Sequence, residues 1–412
     1  MNNAIKQTGK GLRNFFVPHE YNIKQPESKP RVVAIVPSFK PSKLTVRLVK
    51  DLLRWNKDIS VYVVDDATPK KYKAEHLIFD SIRTLSPDVV VLRTPRNKMK
   101  AGAINFALSR ILKEKDAPDV VMTFDDDVVI SKNVVKNLVN NLFEDDSLGA
   151  VCSQCRVINK NKNLLTRLQG LEYLGFNGLR LADEGFFRGP LVMHGMLTAF
   201  KTKALQEVGK FSEKHLIEDY DMTAKIKSAG WHVRLSPSAH AWTQVPEDFN
   251  HLWRQRTRWM VGGLYIAMNP RYWRVIIQDI IGHALFLSTL ILVILSFILR
   301  GDAGSTPYFI FIGIITVSLL QMIIWYSFQL WFMRFYLEKD WKDWLIRVSL
   351  IPEFIYANIL AIALMGSYLF FIFQDVSSRI ESKYKSVGKT KAFLEKIFAY
   401  VGYTKSWGTR NS

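Results

Sequence analysis

Cysteine is nearly absent. The 412 residues hold two, Cys152 and Cys155, in "VCSQC". Two thiols cannot supply the four ligands of a structural zinc site, and so few give no disulfide framework. In an extended segment the i and i+3 side chains point to opposite faces, so the pair reads as two buried thiols rather than a redox couple. Acidic residues are outnumbered, 37 Asp and Glu against 56 Lys and Arg, which leaves a formal charge of +19. Such a balance points to an anionic partner: nucleic acid, a membrane surface or an anionic substrate. The N-terminal "MNNAIKQTGKGLRNFFVPHEY" lacks the apolar core and small-residue cleavage site of a secretory signal. Residues 1–30 read as an arm, either disordered and solvated or a short basic amphipathic helix lying on anionic lipid.

Apolar residues are plentiful but uneven. They make up 48% of the chain, with 26 Phe and 11 Trp, ample for a sizeable core. The first 270 residues alternate charged and apolar stretches, as a soluble domain does. Three long apolar stretches follow, near 280–299, 308–333 and 349–373, each of the length that spans a bilayer. The third carries Pro352 and Glu353 near its start. The charged, Trp-rich "RFYLEKDWKDWLIR" between the second and third suits a membrane interface. The tail, 376–412, has eight basic and two acidic residues, which places it in the cytoplasm by the positive-inside tendency. Three full crossings from a cytoplasmic domain would leave that tail outside. One stretch is therefore expected to re-enter, lie in the plane or turn back, and Pro352 makes the third the candidate; an odd number of crossings stays open. Much of the excess charge sits in the tail and in an arginine cluster, where lipid and diphosphate account for it, so no nucleic-acid partner is expected.

Within 31–270, "RVVAIVPSF", "SVYVVDDAT", "DVVVLRT" and "DVVMTFDDD" read as strands, alternating with helices at 44–55 and 100–114. That alternation implies βαβ units and a mostly parallel sheet with helices on both faces. Ligands gather at the C-terminal ends of such strands. Pro37 and Ser38, Asp65 and Asp66, and Asp125 to Asp127 all fall at such ends, so one pocket can draw on all three.

Four clusters carry chemistry. Asp125 and Asp127, at i and i+2, share a side in extended geometry and can hold a hard cation, Mg²⁺ or Mn²⁺, together with substrate phosphates. Asp126 points away from that ion. The bland alternative, a solvated loop or helix cap, fits poorly after so apolar a strand. "HLIEDYDMTAKIKSAGW" brings Glu218, Asp219 and Asp221 to a helix start. The helix dipole accounts for Asp221, while Asp219 is placed to act as a general base on an attacking hydroxyl. "HLWRQRTRWMVGG" sets Arg254, Arg256 and Arg258 among Trp253 and Trp259. Arginine can bind a diphosphate and Trp can stack on a sugar ring. The same pattern also suits an interfacial helix. In "PRNKMKAGAIN", Lys98 and Lys100 before a helix suit a phosphate. Acidic pairs need a metal and basic clusters need an anion; a nucleoside diphosphate with its divalent ion satisfies both.

Residues 31 to 375 resemble, in order, the membrane-embedded family-2 glycosyltransferases: the cellulose, chitin, hyaluronan and poly-N-acetylglucosamine synthases. "VVDDAT" is similar to the first nucleotide motif, which implies Asp66 on the uracil with Asp65 beside it. "KAGAIN" resembles K-A-G-x-x-N, with Lys100 near the diphosphate. "DDD" fills D-x-D, with Asp125 toward the nucleotide and Asp127 on the metal. "IEDYD" stands where the family has T-E-D. Ile217 replaces the common Thr, while Glu218, toward the acceptor, and the base Asp219 are kept. "QRTRW" matches Q-x-x-R-W, with Gln255 and Arg258 expected on the donor and Trp259 on the acceptor sugar. "VMHGMLTAFK", with His194 and Gly195, resembles the segment lining the acceptor end. "SWGTR", with Trp407, Thr409 and Arg410, resembles a cytoplasmic gating element of the hyaluronan synthases. Many members carry N-terminal membrane helices that this sequence does not display, so a channel would draw on fewer helices, a homo-oligomer or a membrane partner subunit.

The resemblance implies a GT-A-type α/β domain at 31–270, a helical membrane region at 271–375 and a basic cytoplasmic tail at 376–412. It implies a metal-dependent inverting enzyme of the plasma membrane, with its catalytic domain in the cytoplasm. The donor would be a UDP-sugar, UDP-N-acetylglucosamine or UDP-glucose, and the acceptor a growing β-linked polysaccharide. The alternatives are transfer of one sugar to a polyprenyl phosphate and, from another class, a non-catalytic membrane scaffold or export subunit.

Overall fold

Val- and Ile-rich runs suit a pleated, buried surface and form the first strands: β1 (Val32–Ser38), β2 (Ile59–Asp65), β3 (Val89–Arg93) and β4 (Val120–Phe124). The computed structural model of the chain describes residues 29–114, 116–183, 187–298, 305–383 and 388–404. Helices α1 (Lys43–Trp55), α2 (Lys73–Arg83) and α3 (Met99–Ile111) link these strands. α1 starts at Ser42, whose hydroxyl accepts from the Leu44 amide while the Thr45 hydroxyl accepts from the Ser42 amide. The chain continues through β5 (Val129–Ile130), α4 (Val134–Phe143), β6 (Leu148–Val157), α5 (Leu164–Ala182), β7 (Leu197–Lys201), α6 (Thr202–Val208), α7 (Glu218–Ser228), β8 (His232–Thr243) and α8 (Phe249–Ala267).

The strands form one sheet in the order β3-β2-β1-β4-β7-β6-β8-β5. The pairs β1–β2, β1–β4, β2–β3 and β6–β8 are parallel. β7 runs antiparallel between β4 and β6, and β5 runs antiparallel to β8. The result is a mixed, GT-A-like sheet. Its strand order reverses direction at β1, between β2 on one side and β4 on the other, which opens a crevice at their C-terminal ends. Alternate residues feed two cores: Ala34, Val36 and Val63 on one face, Val33, Ile35 and Val64 on the other. Cys152 and Cys155 join opposite cores as free, buried thiols, as their spacing in an extended segment predicts.

A 3₁₀ turn at Pro270–Tyr272 leads to α9 (Ile277–Ile298), α10 (Thr306–Phe332), α11 (Trp341–Ser349), α12 (Ile351–Lys383) and α13 (Gly388–Tyr400). Among the described residues, three stretches are long and apolar enough to cross a membrane: Ile277–Leu295, Tyr308–Phe335 and Ile351–Ile380. Pro352 does not turn the third back. It lies in the first helical turn, where a missing N–H leaves no hydrogen bond broken, and α12 runs on from it without a break. The bend falls earlier, at Leu350, whose φ is 60°.

Two devices seat these helices on the sheet domain. Gly178 of α5 lets the end of α10 approach closely, since a Cβ there would lie 2.3 Å from the Phe332 ring. A charged cluster then fixes the segment between α10 and α11. Arg167 donates to Asp340 and Asp343 at 2.8 Å each, and Lys160 to Asp343 at 2.5 Å, with Asp343 wholly buried. Breaking one partner of such a buried pair strands the other without solvent, which makes the docking hard to undo.

Candidate active site

The C-terminal ends of β1, β2 and β4 meet the N-terminus of α7, and the expected acidic and basic residues cluster there. Lys100, in the first turn of α3, donates to Asp125 at 2.6 Å, Glu218 at 3.0 Å and the Gly195 carbonyl at 2.9 Å. Burial works against its charge, but Asp125, Glu218 and Asp219 around it hold the ammonium protonated well above its ordinary range. A Cβ at Gly195 would stand 2.5 Å from the Lys100 Nζ, so any larger residue there displaces that ammonium from its carboxylates.

Asp219 is fixed by two backbone amides. Its Oδ2 accepts from Gly195 and its Oδ1 from Tyr220, both at 2.8 Å. Burial and the adjacent Glu218 charge push its pKa up to about 6. Burial also acts on Glu218, but Lys100 outweighs it and, with Arg258 nearby, keeps that carboxyl below its usual range. Two adjacent carboxylates thus differ: one is locked as an anion by a cation, the other titrates near neutrality. Such a split assigns different roles to the two groups. Lys100, Thr123, Gly195, Thr198, Glu218 and Asp219 line a common pocket with an apolar wall that includes Met193 and Met222.

The carboxylates expected on the nucleotide side, Asp65 and Asp66, are buried and engaged. Asp65 accepts from Arg93 and from the Thr68 amide. Asp66 accepts from Thr94 Oγ1 at 2.9 Å and the Lys98 amide at 2.8 Å. Burial is the main cause that raises the Asp66 pKa. These bonds bring the β2, β3 and α3 ends into one surface. The Ser38 hydroxyl is committed to Asp126 at 2.6 Å, so the central carboxylate of the triplet ties β1 to the loop after β4. Pro37 precedes it in β1 and pairs with Val64 of β2. Asp127 meets the Thr243 hydroxyl at 3.4 Å.

Among the described residues, no three His, Cys, Asp or Glu side chains gather to hold an ion unaided. A two-carboxylate, all-oxygen set is the kind that binds Mg²⁺ or Mn²⁺ together with substrate phosphates, the mode expected of Asp125 and Asp127; Asp125 is held here by Lys100.

The arginine cluster on α8 divides. Arg256 is buried, donates to Glu172 at 2.6 Å and Tyr356 at 3.3 Å, and stacks 4.3 Å from the Trp259 ring. It ties α8 to α5 and α12 and is unavailable to a diphosphate. Arg254 is exposed. Arg258 is half-buried and its charge reaches Glu218, which leaves it as the candidate for the anion. Positions two apart on a helix lie about 200° apart around the axis, which separates these roles. The Gln255 amide oxygen is buried without a hydrogen-bond partner. His194 is buried and neutral, its pKa lowered to about 3 by burial and then by Arg180. Its Nε2 lies against the Ser153 carbonyl and its Nδ1 has no partner.

Trp253 Nε1 donates to the Val401 carbonyl at 2.7 Å, and Thr257 to the Gly402 carbonyl at 3.0 Å, so the chain is held on α8 as far as Tyr403. Trp407, Thr409 and Arg410, and the N-terminal arm through residue 28, lie outside the described residues. The engagements of Arg93, Thr94 and Thr243 had no local signal in the sequence, because each depends on a partner on another strand or in the loop that follows one.

A family model described as "Glycosyl transferase family group 2" matches residues 120–373, more than half of the chain. The chain belongs to this glycosyltransferase family. Over 181 residues this glycosyltransferase is 32% identical to a probable glycosyltransferase, YdaM, of Bacillus subtilis (strain 168), covering 43% of this chain and 42% of the relative. Over 176 residues it is 28% identical to the poly-beta-1,6-N-acetyl-D-glucosamine synthase of Staphylococcus aureus (strain COL), covering 43% of this chain and 41% of that protein. The matched stretches thus span less than half the length of these curated relatives. A solved mannosyltransferase, PcManGT from Pyrobaculum calidifontis with GDP-Man and Mn²⁺, aligns over 81% of this chain and 96% of its own at 20% identity, with a TM-score of 0.49.

Proposed function

We propose that this glycosyltransferase uses a UDP-sugar and a divalent cation to extend a β-linked polysaccharide at the membrane, with inversion at the anomeric carbon. The observation that carries the reading is Asp219: a half-buried carboxylate held by two amides, its pKa raised to about 6, on the wall of the pocket that Lys100 and Glu218 share. Asp219 takes the proton from the acceptor hydroxyl as that oxygen attacks the anomeric carbon. The two amide bonds fix its orientation, and burial with the Glu218 charge, offset in part by Lys100, keeps its proton affinity near the working pH. Lys100 and Arg258 offset the negative charge that builds on the departing UDP. Gln255 offers an unpartnered amide oxygen on the helix that carries Arg258.

Asp127, with Asp125, would hold Mg²⁺ or Mn²⁺; when bound, the ion neutralises the diphosphate as it leaves. Asp65, Asp66, Pro37 and Ser38 build the nucleotide surface. His194, Gly195, Glu218 and Trp259 face the acceptor, and Trp407, Thr409 and Arg410 gate the donor. The three apolar helices support membrane insertion, and the basic tail supports a cytoplasmic catalytic domain. The Staphylococcus aureus relative makes N-acetylglucosamine the first sugar to test, with glucose second. The test is incubation of purified protein with radiolabelled UDP-sugars and Mn²⁺, then digestion of any polymer with linkage-specific glycosidases. Polymer from one donor supports the reading. Sugar transferred only to a polyprenyl phosphate, or no UDP release with any donor, refutes it.

A further inference from the structure

The segment between α10 and α11 reaches the catalytic sheet through one acid. Glu338 Oε2 accepts from Arg156 Nη1 and its Oε1 from Trp242 Nε1, both at 2.7 Å. Arg156 and Trp242 are register partners near the ends of β6 and β8. One carboxylate therefore fastens two adjacent strand ends. Trp242 also pairs with Val129 of β5, two residues beyond Asp127. The next residue, Thr243, presents its hydroxyl to both Asp127 oxygens at 3.4 Å.

Charge makes the link consequential. Arg156 is 6% exposed, and Glu338 is its ion-pair partner. His240, close by, has its pKa lowered to about 4 by burial and by Arg156, so it stays neutral and adds no charge. Without Glu338 a buried guanidinium loses its counter-charge, and the strand ends around it must shift to reach water or another acceptor. The neighbouring acids act elsewhere. Asp340 and Asp343 engage Lys160 and Arg167, which sit in the turn before α5 and on α5 itself.

We propose that Glu338 is a positioning residue for Asp127: through Trp242 and Thr243 it sets where the metal-side carboxylate stands, and so ties the interfacial segment to donor binding. This rests on the reading of Asp127 as a metal carboxylate. The test titrates Mn²⁺ into purified full-length protein in detergent with UDP present. Free Mn²⁺ is read by electron paramagnetic resonance, and thermal unfolding is followed in parallel. Glu338→Ala should weaken Mn²⁺ binding by about tenfold, the lower end of the loss seen when a partner that orients a metal ligand is removed. Glu338→Gln, which keeps oxygen and nitrogen in place of the carboxylate, should weaken it less than Glu338→Ala does. Asp340→Asn should lower the unfolding temperature and leave Mn²⁺ affinity near wild type. Unchanged affinity in Glu338→Ala overturns the proposal, as does an equal loss in Asp340→Asn. If Glu338→Ala does not fold, Glu338→Gln decides alone, and wild-type affinity there overturns the idea. A wild-type protein that binds no Mn²⁺ with UDP refutes the reading of Asp127 and the proposal with it.

Discussion

Leu77 on α2 and Leu320 on α10 are both exposed leucines, at 68% and 54%, yet they face different solvents. Around Leu77 the sheet domain alternates buried apolar and exposed charged residues, and single exposed apolar side chains are ordinary there. Around Leu320 the helix is apolar on every side, with Phe309, Val317 and Ile323 all outward, and no Asp, Glu, Lys or Arg lies between Thr306 and Phe332. Charge follows the same division. In the sheet domain charges are buried against partners, as Arg256 is against Glu172. In α10 they are absent. One chain is thus written for two solvents, and the charged site lies on the watery side.

The largest break in that division comes from emptying the charged site. Asp127→Ala should eliminate metal-dependent donor binding, a loss beyond the roughly 100-fold expected for an outer partner. Equilibrium binding of UDP with and without Mn²⁺ reads it. Next comes a charge in the wrong solvent. Leu320→Arg should cost about 2.5–3.5 kcal/mol of membrane insertion, whereas Leu77→Arg should fall within about 0.5 kcal/mol of neutral. Membrane fractionation of the first and thermal unfolding of the second would settle the contrast. A smaller effect comes from pH. Asp219 must be ionised to accept a proton, and its pKa is raised to about 6. The rate should therefore fall about tenfold for each unit of pH below that value, with a plateau above it. Smallest is Asp126→Ala, which removes the bond to Ser38 and should cost about 1 kcal/mol of stability, with donor affinity close to wild type.

The first four strands and the helices after β1 and β3 were legible because each is a local pattern: a Val-rich run, or a helical stretch between two such runs; α2, at Lys73–Arg83, was not read. β7 was not. "LTAFK" is five residues, and only its pairing with β4 and β6 makes it a strand. The site was legible as a set of motifs and hidden as a set of bonds. Asp126 was expected to point away from the metal with no catalytic task, and nothing nearby foretold that it holds Ser38, 88 positions earlier. Asp127 and Thr243 are 116 positions apart and meet because β5 and β8 share a register. Arg256 and Arg258 looked alike in sequence, and only the packing of α8 against α5 and α12 made one a structural tie. Pro352 suggested a turn that the helix start absorbs.

The most direct test of the account is single-turnover sugar transfer by Asp219→Asn, set beside its affinity for UDP-sugar. The account predicts a fall in transfer of about 10²–10⁴-fold, with donor affinity largely unchanged, because the amide keeps the shape and loses the base. Transfer at the wild-type rate would contradict it.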